Sequence, residues 1–142
     1  MKYICTLALL FCAWLPLSAQ QRQTPEAHEK QLAETIENEV VRLTGLLKLE
    51  DWQVFYADSI LNNNFRGADE ELKRLNDAKV TNYDLYQEVS DKWTEKTYMA
   101  LRKVLTETQW VKYNKSGAGS EKKARDRRQA KKTNKQDETG RH

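Results

Sequence analysis

Cysteine, proline, glycine and histidine are all scarce in this chain, and each scarcity closes a route. The two cysteines, Cys5 and Cys12, lie within the first dozen residues. Beyond them there is no thiol for a disulfide, a nucleophile or a thiolate metal site, so the fold rests on packing. The prolines are Pro16 and Pro25, and the glycines at 45, 67, 117, 119 and 140 share no motif. Strand-rich domains need turn signals about every 8–12 residues, and phosphate-cradling loops need clustered glycine. Neither pattern is present, which points to an all-helical protein. His28 and His142 are the only histidines, far apart and without a cysteine partner, so no metal is expected. Glutamate pairs such as Glu34 with Glu37, or Glu70 with Glu71, are the nearest thing to an acid–base pair. They read as solvated helix faces. No catalytic residue, cofactor or enzyme activity is expected.

The N-terminus reads as a secretory signal over residues 1–19. Lys2 supplies the positive end, Ile4 to Leu17 is apolar but for Thr6 and the cysteines, and Leu17-Ser18-Ala19 ends on a small residue suited to cleavage before Gln20. A membrane anchor is the competing reading, but this run has 14 residues and about 20 are needed to span a bilayer. The expectation is export, to a periplasmic or extracellular location.

Thr24-Pro25-Glu26 opens a helix: a capping hydroxyl, proline at the first helical position and an acid near the positive end of the dipole. Leu32, Ile36, Val40, Leu43 and Leu47 then form one apolar stripe at helical spacing. A second segment from Glu50-Asp51 carries Trp52, Phe55, Tyr56, Ile60 and Leu61. Asn62-Asn63-Asn64-Phe65-Arg66-Gly67 predicts a break, since Asn and Gly favour turns and helix ends; a kink within one long helix is the alternative. A shorter helix over about 68–79 would follow. Thr81-Asn82-Tyr83-Asp84 predicts another start. The stripe Tyr86, Val89, Trp93, Thr97, Ala100, Val104 predicts a long helix behind it.

The sharpest local signal is Leu105-Thr106-Glu107-Thr108-Gln109-Trp110. Thr106 can cap a helix while Gln109 reaches back to the cap N–H, and Leu105 and Trp110 can staple over them. A weaker echo stands 56 residues earlier at Leu49-Glu50-Asp51-Trp52-Gln53.

Charge divides the chain. From Gln20 to Trp110 there are 12 basic and 17 acidic residues; from Val111 to His142 there are 11 basic and 4 acidic. Ser116 to Ser120 reads as flexible. The segment beyond has strong helix formers but no Leu, Ile, Val or aromatic residue, so it predicts a disordered or loosely helical tail. Its Lys122, Lys123, Arg125, Arg127, Arg128, Lys131 and Lys132 are candidate anion-binding residues, against the plainer reading of a solubilising tail. With no aromatic interleaved for base stacking, an anionic membrane surface is expected before nucleic acid. The aromatic residues are read first as core. Trp52, Phe55, Tyr56, Trp93 and Trp110 are also the candidate partner-binding residues, because a body this small leaves apolar area over, or a dimer seam.

Leu105-Thr106-Glu107-Thr108-Gln109, with its echo at Leu49 to Gln53, resembles the periplasmic LTxxQ-motif family of Spy/CpxP-like helical envelope proteins. That resemblance implies a cradle-shaped antiparallel helical dimer that holds unfolded clients without ATP. This chain lacks the histidine-rich segments of the metal-sensing relatives. The expected organisation is a signal at 1–19, a helical domain of about four to five helices at 20–116, forming a small antiparallel bundle or hairpin, and a basic tail at 117–142. The expected function is a chaperone-like binding module for apolar or unfolded polypeptide, with an envelope adaptor docked through its tail as the alternative.

Overall fold

The computed structural model describes residues 24–139, which places the expected signal segment outside the described residues. All five elements among those residues are helices: α1 (Pro25–Leu47), α2 (Asp51–Asp77), α3 (Tyr83–Val104), α4 (Glu107–Tyr113) and α5 (Gly119–Thr139). A π turn over Asn114–Ala118 joins the last two. None of them is long and apolar enough to cross a membrane.

The starts follow from local chemistry. Thr24 Oγ1 accepts the Ala27 N–H at 3.2 Å with Pro25 in the first turn. Thr106 and Gln109 close the capping box in front of α4. The cap of α3 is Asn82, one residue later than Thr81: its Oδ1 accepts the Asp84 N–H at 3.0 Å. Helix α1 stops where Lys48 turns left-handed at φ 55°, and three residues then suffice to reverse the chain.

The asparagine run is not a break, and no separate helix begins near residue 68, because α2 continues through it as one helix of 27 residues. Contacts override the turn preference at three points, one within α2 and two with α3. Asn62 Nδ2 bonds back to the Asp58 carbonyl at 3.2 Å, Asn64 is buried and donates to Thr97 Oγ1 at 3.1 Å, and Gly67 faces the Trp93 ring.

Successive helices run antiparallel. Across α1 and α2, Arg66 meets Glu29 at 2.6 Å and His28 meets Asp69 at 2.8 Å. Across α2 and α3, Lys92 meets Glu71 at 2.7 Å. The buried core is Ile36, Leu43 and Leu47 of α1, Ala57 and Leu61 of α2, and Leu101 and Leu105 after them, with Trp110 and Tyr113 packed on it. It sits at the end of the bundle where the α1–α2 and α3–α4 corners meet.

Of the two states expected for the tail, disordered or loosely helical, the described residues adopt a helix. From Gly119 it is helix α5, running antiparallel to α3, with Arg125 buried. The reason is electrostatic. Arg125 reaches Glu95 at 3.1 Å, Arg128 reaches Asp91 at 2.6 Å and Lys132 reaches Glu88 at 2.6 Å. Close backbone approaches between α5 and α3 are sparse. Long side chains span the gap where no apolar residue is available to fill it.

Candidate functional site

The two corner motifs meet. Gln53, almost fully buried, donates from Nε2 to Gln109 Oε1 at 2.7 Å, and Gln109 Nε2 donates back to Gln53 Oε1 at 2.9 Å. Each amide oxygen also accepts the backbone N–H of its own cap, Glu50 at 3.0 Å and Thr106 at 2.9 Å. The second hydrogen of each amide crosses to the other corner: Gln53 to the Val104 carbonyl at 3.0 Å, Gln109 to Leu47 at 3.4 Å. Every buried polar side-chain atom among the described residues is satisfied. Glu50 takes the cap place that Thr106 holds in the second copy, so the echo lacks the hydroxyl but keeps the geometry. The amide pair was not anticipated. Its signal was a Leu-x-x-x-Gln recurring 56 residues apart, read as two caps rather than as two halves of one contact. Of the helix-capping residues, Leu105 is core, and Trp110 packs tilted against Tyr98 with ring centres 4.6 Å apart and Arg102 5.2 Å from its ring centre.

The five partner-binding candidates separate. Trp52, Phe55 and Tyr56 lie together on the outer face of α2, 51%, 70% and 52% exposed. Their rings meet edge to face, Trp52–Tyr56 at 6.2 Å and Phe55–Tyr56 at 5.7 Å. They are outside because α2 turns Gln53, Ala57, Leu61 and Asn64 inward, and Trp52, Phe55 and Tyr56 lie on the side of the helix away from α1 and the core. Trp93 and Trp110 are elsewhere and half-buried. Trp93 is fixed by a 2.7 Å bond from Nε1 to Glu71, with Lys96 4.3 Å from its ring centre.

Two concavities flank this region. A shallow trough of about 730 Å³ runs from Phe55 past Ser59, Asn63 and Arg66 to Trp93. On the inner side, a cleft of about 500 Å³ opens between α1, α2, α3 and the α4–α5 corner. Leu61, Phe65, Leu72 and Leu101 contribute apolar lining, with Glu39, Arg42 and Glu121 also on its walls. Tyr113 lines it too; burial, with Glu39 adding to it, pushes its phenol up to about 12. That proton stays on throughout the neutral range. The Glu39 carboxylate bonded to Arg42 raises the guanidinium further, so the wall keeps a fixed ion pair.

The seven anion-binding candidates also divide. Lys122, Arg125, Arg128 and Lys132 pair with carboxylates of α3, while Lys123, Arg127 and Lys131 are exposed and have no carboxylate partner among the described residues. Among the described residues no three His, Cys, Asp or Glu side chains gather in a metal-holding group. The chain matches no family model, no curated protein and no solved structure.

Proposed function

We propose that this chain is an exported, non-enzymatic binding protein that holds apolar or unfolded polypeptide on the Trp52–Phe55–Tyr56 ridge, as a chaperone-like module without ATP. The observation that carries this reading is the ridge itself. Three large aromatic side chains stand at least half exposed on one helix face, touching one another rather than the core. Such clusters of apolar area on a small domain favour interaction, and aromatic side chains present large contact area at low entropy cost. The trough beside the ridge offers Asn63 and Arg66 as polar partners for the backbone of an extended client. The LTxxQ-type corners fit the same reading, since they hold α2 rigidly against α3.

The test is suppression of light scattering by an aggregating client, comparing the chain with its Trp52→Ser/Phe55→Ser/Tyr56→Ser variant. The variant loses most of the protection while its thermal midpoint stays within a few degrees, because the deleted rings lie outside the core. Equal protection by both proteins would overturn the reading. A homodimer closed over the ridge would be seen as a change of sedimentation coefficient in the same variant.

A second reading has its own support. The Lys123, Arg127 and Lys131 stripe is exposed and unpaired among the described residues, which fits an adaptor that docks through α5 to an anionic surface.

A further inference from the structure

Helix α5 shows two different faces. With 3.6 residues per turn, Lys122, Arg125, Arg128 and Lys132 share one face and meet Glu95, Asp91 and Glu88 of α3. Lys123, Arg127 and Lys131, four residues apart, fall on the opposite face and are exposed, with no carboxylate partner among the described residues. The pairing on the inner face is extensive. Arg128 forks onto Asp91 through Nε at 2.7 Å and Nη2 at 2.6 Å, and Arg125 Nε and Nη2 both reach Glu95. Arg125 also lies 5.6 Å from the Tyr98 ring centre.

We propose that the outer stripe of α5 is the docking surface for an anionic lipid bilayer, and that the acid stripe of α3, Glu88, Asp91 and Glu95, withholds Lys122, Arg125, Arg128 and Lys132 from that surface. The proposal deepens the second reading above and rests on it. Composition argues for a bilayer over nucleic acid. The helix carries no aromatic residue to stack on bases, and a row of three point charges about 12 Å long suits a headgroup layer, which demands no particular geometry. Each Lys or Arg near an anionic leaflet strengthens binding roughly fivefold. Of the seven Lys and Arg between residues 122 and 132, the intact protein therefore presents three, and the body is held at a fixed orientation because the inner face stays tied to α3.

The experiment is cosedimentation of the chain from Gln20 to His142 with phosphatidylglycerol/phosphatidylcholine vesicles at low salt, against pure phosphatidylcholine. The Lys123→Gln/Arg127→Gln/Lys131→Gln variant loses about a hundredfold in affinity. The Arg128→Gln/Lys132→Gln variant loses clearly less per charge than the outer-stripe variant, since those cations lie on the far face of the helix beside carboxylates. The Glu88→Gln/Asp91→Asn/Glu95→Gln variant gains at least about tenfold. A matched loss of three carboxylates on α1, Glu26→Gln/Glu34→Gln/Glu37→Gln, does not reproduce that gain. Circular dichroism of each variant checks that its helices persist. A loss per charge in the Arg128/Lys132 variant equal to that of the outer stripe, or no gain beyond the α1 control, overturns the masking by α3 while leaving membrane docking standing. Failure of every form to bind the anionic vesicles, or tighter binding to single-stranded RNA than to vesicles, overturns the adaptor reading together with it.

Discussion

Gly67 and Gly45 show how a single hydrogen in place of a methyl group acquires opposite meanings. Both glycines lie inside helices, where alanine is intrinsically favoured by about 1 kcal/mol. A Cβ on Gly67 would stand 2.2 Å from the Trp93 ring. The indole would have to leave its place, breaking the Glu71 bond and the contact with Lys96. A Cβ on Gly45 meets nothing within 4 Å. Urea unfolding should therefore find Gly67→Ala destabilising by about 1–3 kcal/mol, as overpacking does, and Gly45→Ala stabilising by about 0.5–1 kcal/mol. A stabilising Gly67→Ala would show that Trp93 is loosely held. The asparagines beside Gly67 carry the same lesson: Asn64 would be a turn residue by habit, and Thr97 makes it a core residue instead.

At the scale of elements, α5 is the outlier. The other long helices bury apolar stripes, whereas α5 has its attachment to α3 in ion pairs on its basic face. Surface pairs are weak singly and screened by salt, so α5 should be the first helix to detach. The Arg128 guanidinium, bonded to Asp91, holds that carboxyl below the usual carboxylate range. A lowered carboxyl stabilises the folded form above its unfolded value of about 3.9, and the contribution is lost as pH falls through the lowered folded value. Amide exchange should therefore find α5 protected at neutral pH and low salt. It should lose protection while α1 to α3 keep theirs in about 1 M salt, where the screening length shrinks to roughly 3 Å, and also in acid below about pH 4. Protection of α5 equal to that of α3 in high salt would mean that something other than charge holds it.

For the whole molecule, the decisive feature is that two corner motifs 56 residues apart close on one another. Helix, corner and helix occur twice, and the Gln53–Gln109 pair lies where the two halves cross-cap each other. Truncating one amide leaves the other, fully buried at Gln53 and half-buried at Gln109, with unmet hydrogen bonds, a loss of about 1–3 kcal/mol. Gln53→Ala and Gln109→Ala should each cost about that much. The double variant should cost less than their sum, with a coupling of at least about 0.5 kcal/mol in a denaturant-based cycle. Strict additivity would mean that each glutamine serves only its own helix. The two halves then diverge in their second arms. The first continues straight as α2, whereas the second bends at Gly117, whose φ of 120° suits glycine alone, and carries the basic helix back along α3.

The sequence alone determined what depends on neighbours along the chain. Thr24-Pro25 and Thr106-x-x-Gln109 set helix starts, the stripe from Leu32 to Leu47 set a buried face, and the scarcity of turn residues set the all-helical class. Those signals are legible because caps and helical periodicity act over three or four residues. Contacts between distant residues were decided only in the tertiary structure. They kept α2 continuous through its asparagines, joined two caps into one amide pair, and sent Trp93 inward while leaving Trp52, Phe55 and Tyr56 outside. They also gave the basic tail a partner. A tail without large apolar residues has no reason of its own to fold back, and it does so because α3 happens to present Glu88, Asp91 and Glu95 at the spacing its cations can reach.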